Sequence, residues 1–405
     1  MLFENTEGSA AYHSPGCLSC SRARLDLVLN FKPPIYINRG IFSMELQLFR
    51  KAAGILPSGN AGSAQQARRR RSFLLPIFSA SLAIGVAVVA VGARNQNADH
   101  GENQGREVPP YWAYAVDPPA RSSHPKSVDN TLRHVPGSTA AFTERQINDA
   151  FSPPDWHPAG HPTMPEIVAH GRKPKVMACG YCHLPNGQGR PENASLAGLP
   201  TTYIFQQMVD FKSGRRKTSN PKFLPAVDMA IHESLANQNE VREAARYFSR
   251  LKPKPWIRVI ETATVPKTQV AGWMLVPTAG GGREPIGHRI IETPVNVGLT
   301  EMRDDASSFI AYVPEGSIER GRKLASTGGA GITIACDTCH GPDLRGISNV
   351  PSIAGRSPSY IIRQLYDMQT GARSGADMQL MKPVVGKLSL GDMVSLAAYL
   401  ASLHP

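Results

Sequence analysis

Beyond residue 93 this chain has no cysteine to spare. The 405-residue sequence contains six Cys. Four of them fall in two pentapeptides, Cys179-Gly180-Tyr181-Cys182-His183 and Cys336-Asp337-Thr338-Cys339-His340. The other two, Cys17 and Cys20, are followed by Ser21 rather than His and carry no assigned function. A structural zinc site needs two further ligands beside each Cys pair, and neither pentapeptide has them in a clear form. Positive charge is not concentrated in the second part of the chain either. Of the formal net charge of +12, residues 1–93 hold half, from ten Lys or Arg against four Asp or Glu. The remainder contains no basic block, so nucleic-acid binding has no support. The glycine run Gly280-Gly281-Gly282 is not followed by Lys-Ser/Thr and lacks a strand-to-helix frame, which excludes a phosphate cradle and leaves a flexible loop.

What is present is the pair of Cys-x-x-Cys-His motifs, the attachment signature of c-type haem. The spacing has a chemical reason. Both thiols add to the haem vinyl groups, and the adjacent His is then held against one face of the iron as its proximal ligand. A thioredoxin-like dithiol does not need the trailing His. Two copies predict two covalently attached haem c groups, on Cys179 and Cys182 with His183, and on Cys336 and Cys339 with His340. Up to four propionates would bring the +6 of the second part close to balance.

Residues 68–93 carry a targeting signal. Arg68 to Arg71 form a cationic block, and Phe73 to Ala93 is a 21-residue run without a charge. That length meets the roughly 20 residues needed to span a bilayer as a helix. Val91-Gly92-Ala93 offers the small residues a signal peptidase reads, while the length suits a retained anchor. Either way the Arg block stays inside and everything after Arg94 is exported. The expectation is the bacterial periplasm, with the protein anchored to the inner membrane by residues 73–93, or soluble if the signal is cleaved. Translation starts at Met1 or Met44, and residues 1–67 read as a poorly ordered extension.

The motifs sit in a longer repeat with a fixed offset of 157 residues. Ser195-Leu196-Ala197-Gly198 falls on Ser352-Ile353-Ala354-Gly355, Tyr203 on Tyr360, Gln207 on Gln364, Asp210 on Asp367, Gly214 on Gly371 and Arg216 on Arg373. The unit is a haem motif, a loop, a helix from about Thr202 to Ser213 or Ser359 to Thr370, and a glycine that closes it. Each copy ends in an amphipathic helix with a capping box, Asn237-x-x-Glu240 in one and Ser389-x-x-Asp392 in the other. Short helical patterns precede the cysteines at Pro165 to Gly171 and Ser317 to Leu324. Gly171 and Gly321 would let these first helices cross the last ones near Tyr247 and Tyr399.

These residues resemble the tandem dihaem class I cytochromes c of bacteria. The resemblance covers residues 140 to 405 and rests on Cys-x-x-Cys-His, the Ala-Gly after the loop, the Tyr-x-x-x-Gln helix with its terminal Gly, and the aromatic last helix, all twice. It implies a mainly α fold of two small helical bundles around haem, joined by a short β-containing linker and preceded by the signal or anchor helix. The expected divisions are an irregular tether over 94–140, haem domains over 141–253 and 314–405, and a linker over 254–313. In that linker, Ile257 to Thr262 and His288 to Thr293 read as strands.

Members of the family use Met as the distal iron ligand, from a loop between the Gly-ended helix and the last helix. In the first copy that implies Met229, with His232 three residues on and a loop one residue short. In the second it implies Met381, seven residues before Leu388, in preference to Met378. Thioether ligation favours reduced iron and a raised potential. Differences between the loops imply haems of unequal potential. With both axial positions filled, the expected role is an electron carrier rather than an enzyme. No exported Cys remains to act as a distal thiolate, which counts against the thiosulfate-oxidising dihaem cytochromes that use one. The expected partners are a dehydrogenase or quinol-oxidising complex and a terminal oxidase or other cytochrome. The alternatives are the cytochrome subunit of a periplasmic alcohol or sugar dehydrogenase and a dihaem peroxidase.

Three further features read as surface. His157 and His161 lie in a Pro-rich stretch with no helical face to bring them together. Arg215-Arg216-Lys217 reads as a solvated helix end. Pro109 to Tyr114 is an aromatic patch expected to dock on the domain or on a partner.

Overall fold

The computed structural model describes residues 108–118 and 129–405. The extension 1–67 with Cys17 and Cys20, the signal or anchor 68–93 and much of the 94–140 tether lie outside the described residues. Among those described, no single helix is long and apolar enough to cross a membrane.

The first haem motif forms one short helix, α1 (Cys179–His183), followed by α2 (Thr201–Lys212), α3 (Leu224–Leu235) and α4 (Gln238–Arg250). The second copy runs α5 (Ser317–Thr327), α6 (Asp337–His340), α7 (Pro358–Gln369), α8 (Met378–Val385) and α9 (Leu390–Ser402). Both capping boxes form as the sequence predicts. Asn237 accepts from the Glu240 N–H while Glu240 accepts from the Asn237 N–H, and Ser389 and Asp392 do the same. The two segments expected to be distal loops are helices α3 and α8 instead. Pro225 sits in the first turn of α3, where its missing N–H costs nothing. The first copy has only a single turn, Glu166–Ala169, where the second has the full helix α5.

Residues 257–313 are richer in strands than the sequence suggests. β1 (Ile257–Glu261) pairs in parallel with β7 (Phe309–Val313), which pairs antiparallel with β6 (Ile291–Pro294). β2 (Thr264–Pro266) pairs with β5 (Arg283–Pro285), and β3 (Thr268–Ala271) forms a hairpin with β4 (Met274–Pro277). The predicted strand at His288 to Thr293 begins only at Ile291. This sheet is fastened to the second copy. The buried carboxylate of Glu292 accepts from Ser357 Oγ at 2.7 Å and from the Ser359 N–H at 3.2 Å, at the start of α7.

The aromatic patch docks on the protein itself. Trp112, Ala113, Tyr114 and Ala115 are buried in the core of the second copy. Tyr114 Oη donates to Asp367 Oδ1 at 2.7 Å, and Arg363 Nη1 donates to the Ala113 carbonyl at 2.7 Å. Unpaired, either buried group would cost about 1–3 kcal/mol.

Gly321 plays the expected part: a Cβ there would stand 1.9 Å from the Ser395 carbonyl oxygen and 2.7 Å from Tyr399 Cβ, so α5 and α9 cross backbone to backbone. Gly171 does not play the matching part. It adopts φ +65°, and a Cβ there would strike Val176 O and Ala178 N, so it closes a turn before the haem motif instead of seating a helix crossing. Replacing Gly321 by Ala forces the crossing apart and should cost at least about 1–3 kcal/mol in urea unfolding. Gly280→Ala, with nothing within 4 Å of its added methyl, is the control that should change stability little.

Glu233 on α3 is buried, and its Oε2 has no hydrogen-bond partner. Burial pushes its carboxyl up to about 7, against the opposing pull of Lys212. A carboxyl with a raised folded value binds its proton more tightly when folded, so stability falls as pH rises from the unfolded value toward 7. Thermal unfolding between pH 4.5 and pH 7.5 should show that decline in the parent and a flatter profile in Glu233→Gln.

Candidate haem sites

The apolar helix faces of each copy enclose a cavity that holds its own haem motif. The first is lined by Cys179, Cys182, His183, Leu199, Phe248 and Met229, and also by His232 and Met208. The second is lined by Cys336, Cys339, His340, Ile361, Leu400, Met378 and Met381. All eight residues expected to bind haem therefore face one of two cavities, four to each.

Each proximal histidine is fixed in the same way. His183 Nδ1 lies 2.8 Å from the Ala194 carbonyl, and His340 Nδ1 lies 2.8 Å from the Pro351 carbonyl. A carbonyl only accepts, so Nδ1 carries the hydrogen and Nε2 keeps its lone pair for a metal. Burial holds both imidazoles below their ordinary range, which keeps them neutral. The carbonyls themselves obey the 157-residue offset. Burial likewise pushes the Cys179 thiol up to about 12 and the Cys336 thiol up to about 11.

Measured from the capped last helices, the two methionines occupy equivalent places. Met229 precedes the cap Asn237 by eight residues and Met381 precedes the cap Ser389 by eight. With Arg216 aligned on Arg373, the first copy is five residues longer before its methionine, 13 against 8, and equal from the methionine to the capped helix. By the same register His232 stands where the second copy has Val384, and both line their cavities. His232 is half-buried and its Nδ1 has no hydrogen-bond partner. Burial holds it below the ordinary histidine range. Met378 and Met381 lie one turn apart on α8, and Met378 is the more buried.

The two cavities share a wall. Leu199, Tyr203, Tyr360 and Gln364 line both. Across it the duplicated residues bind one another reciprocally. Arg216 donates to Gln207 Oε1 at 3.1 Å within its copy, and to Tyr360 Oη at 3.0 Å and Gln364 Oε1 at 3.2 Å in the other. Arg373 donates to Gln364 Oε1 at 3.0 Å in its own copy, and to Tyr203 Oη at 3.0 Å and Gln207 Oε1 at 2.8 Å in the other. The backbones add Lys217 N–H to Ala372 O at 2.8 Å and Ser374 N–H to Arg215 O at 2.7 Å. Arg216 is thus an interface residue rather than part of a solvated helix end. Burial raises the Tyr203 hydroxyl, and the guanidiniums of Arg373 and Arg216 more than offset it, so it lies below its ordinary range.

The donor set fits haem. Gln207 Nε2 in the first cavity wall, and Arg356 Nε and Arg373 Nε in the second, are buried without partners. Buried donors of that kind call for acceptors such as propionate carboxylates. Sequence reasoning identified the Tyr, Gln and Arg as repeated residues but missed that they face each other, since equal spacing shows duplication and not contact. Removing Arg373 leaves the Tyr203, Gln207 and Gln364 oxygens short of a buried donor, so Arg373→Met should cost about 3 kcal/mol or more in denaturant unfolding. Arg345→Met, at an exposed Arg near His404, should cost under about 0.5 kcal/mol.

No protein-family model matches the chain. It is 26% identical over 238 residues to a cytochrome c4 of Azotobacter vinelandii, a match covering 57% of this chain and 86% of that one. It is 26% identical over 234 residues to a thiosulfate dehydrogenase electron acceptor of Thiomonas intermedia, covering 56% of this chain and 80% of that one. Over 68 residues it is 34% identical to cytochrome c-554(548) of Halomonas halodenitrificans, covering 16% of this chain and 82% of that one. With two haem motifs, two matching cavities and these relatives, the chain belongs to the dihaem class I cytochromes c and carries two covalently bound haem c groups.

Proposed function

We propose that this dihaem electron-transfer cytochrome works singly and sequentially in the bacterial periplasm, accepting electrons from a dehydrogenase or a quinol-oxidising complex and delivering them to a terminal oxidase or another cytochrome. The observation that carries this reading is the wall common to both cavities, built from Leu199, Tyr203, Tyr360 and Gln364. A wall one side chain thick joins the two cofactors in series, so an electron taken up at one end can leave at the other. The bound haems supply a one-electron couple; the protein supplies attachment, ligation and spacing.

In this reading residues 141–253 and 314–405 are the haem domains, and 254–313 sets their separation. Cys179, Cys182, Cys336 and Cys339 hold the porphyrins. His183 and His340 are the proximal ligands, each fixed by its carbonyl hydrogen bond. Met229 and Met381 are the distal ligands, supported by their equal distance from the capped helices. Sulfur ligation raises both potentials. A dehydrogenase donor is favoured by the relative named as a thiosulfate dehydrogenase electron acceptor. The role of subunit in a periplasmic alcohol or sugar dehydrogenase differs only in the partner. Residues 68–93 provide export, and anchoring if they are retained.

A second ligand set has one observation behind it: His232, with Nδ1 buried and unpartnered, lines the same cavity as Met229. Spectra separate the two. The oxidised parent should show two low-spin haems and a sulfur-to-iron charge-transfer band. Met229→Ala should remove about half of that band and Met381→Ala the rest. A band unchanged in Met229→Ala, with both haems still low-spin, assigns the first iron to His232. A five-coordinate high-spin haem in the parent ends the carrier reading in favour of a peroxidase. Rapid mixing with reduced thiosulfate dehydrogenase should reduce both haems, and failure to do so removes that donor.

A further inference from the structure

The two histidines of the Pro-rich stretch do have acidic company: His161 meets the nearby Asp155, and His157 meets residues far along the chain. His157 Nε2 lies 3.0 Å from Asp304 Oδ1, 147 residues on, and 3.9 Å from Asp305 Oδ1. The ligand atoms of these three residues all lie within 4.8 Å of one another. Asp304 and Asp305 are 3% and 5% exposed. Asp304 Oδ1 also accepts the Ala306 N–H at 2.9 Å. Asp305 Oδ1 accepts nothing.

A buried carboxylate oxygen without a donor is costly, by about 1–3 kcal/mol or more. Burial pushes the Asp305 carboxyl up to about 6, with the Asp304 charge adding to the rise and His157 opposing it. Two adjacent buried carboxylates and one imidazole leave an excess of negative charge that no neighbouring Lys or Arg pairs with among the described contacts. His161 does not relieve it. Its Nε2 is held by Asp155 Oδ1 at 3.1 Å, and its Nδ1 lies 2.9 Å from the Pro162 carbonyl and 3.1 Å from Tyr247 Oη.

We propose that His157 Nε2, Asp304 Oδ1 and Asp305 Oδ1 form a binding site for one divalent cation of the zinc class, with water completing its coordination. One imidazole nitrogen and two carboxylate oxygens suit zinc, whereas calcium and magnesium take oxygen alone. Ligand atoms around a tetrahedral zinc stand about 3.3 Å apart, so His157 and Asp304 are already close enough and Asp305 needs only a side-chain rotation. The cation would clamp residues 296–307 against the first haem copy. Asn186 Nδ2, three residues after His183, donates to the Asp305 carbonyl at 2.6 Å, and Arg303 Nη1 donates to the Tyr181 carbonyl inside the haem motif at 2.9 Å. The role is structural, and it requires nothing of the haem irons.

The test uses the full-length holoprotein with Cys17 and Cys20 replaced by Ser, so that those thiols do not compete for metal. Calorimetric titration with Zn²⁺ should show one saturable site, and Ca²⁺ at the same concentrations should show none. Asp305→Asn and His157→Gln should each weaken Zn²⁺ binding by about tenfold or more, the loss of one ligand. His161→Gln, whose nitrogens are otherwise engaged, should change it by less than about threefold. Asp305→Asn removes a buried charge of unchanged shape and folds, and Zn²⁺ should raise the unfolding temperature of the parent but not of this variant. The absence of a saturable site, or a site whose affinity both variants leave unchanged, overturns the proposal.

Discussion

The structure of the haem region depends on a reciprocal contact between two arginines and the other copy's tyrosine and glutamine. Arg216 reaches Tyr360 and Gln364, and Arg373 reaches Tyr203 and Gln207. The contact has the form of an isologous interface in which residue i meets j and j meets i. Here both surfaces lie in one chain. A guanidinium is always charged and cannot be buried alone, so its planar fork demands several acceptors at fixed positions. That demand aligns α2 against α7, and with them the common wall of the two cavities. The placing of the common wall and the stability of the pairing are therefore consequences of the same side chains.

The remaining elements reinforce this arrangement at its edges. The tether places Tyr114 on Asp367, the carboxylate that also accepts the Ser219 N–H from the first copy at 2.8 Å. The strand of Glu292 caps the start of α7, so the inserted sheet acts on the helix that carries Tyr360, Gln364 and Arg363. Trp156 Nε1 donates to the Met302 carbonyl at 2.8 Å, and Arg190 pairs with Glu192 at 2.6 Å beside the first haem motif. Sequence-distant segments thus converge on the two copies, and the tether also bonds to the inserted strands through Asp117 with the Trp273 N–H and Tyr111 with Arg289.

Much of this was legible from residue order. The Cys-x-x-Cys-His pairs, the 157-residue register and both capping boxes each depend on local spacing, and the structure keeps them all. What depends on distant partners was not legible. Arg216 looked solvated because two of its three acceptors are 144 and 148 residues away. His157 looked unpartnered because Asp304 lies in a different segment. Met229 and Met381 sit on helices rather than loops, since Pro225 and the apolar periodicity of α3 and α8 override the expectation taken from relatives. The strands of residues 257–313 are short, and their pairing is set by contacts outside each run, which periodicity alone does not encode.

Reciprocity also sets how such a protein diverges. In a pair of identical separate chains every substitution at a two-fold contact is made twice, so an unfavourable change is felt at both ends and a useful asymmetry is out of reach. Fusion into one chain halves that exposure. Each copy can then change alone, as it has where His232 stands at the position of Val384, where a single helical turn stands for α5, and where five extra residues lie between Arg216 and Met229 relative to the second copy. Covalent continuity is what lets two equivalent cofactor sites diverge without loosening the contact that joins them.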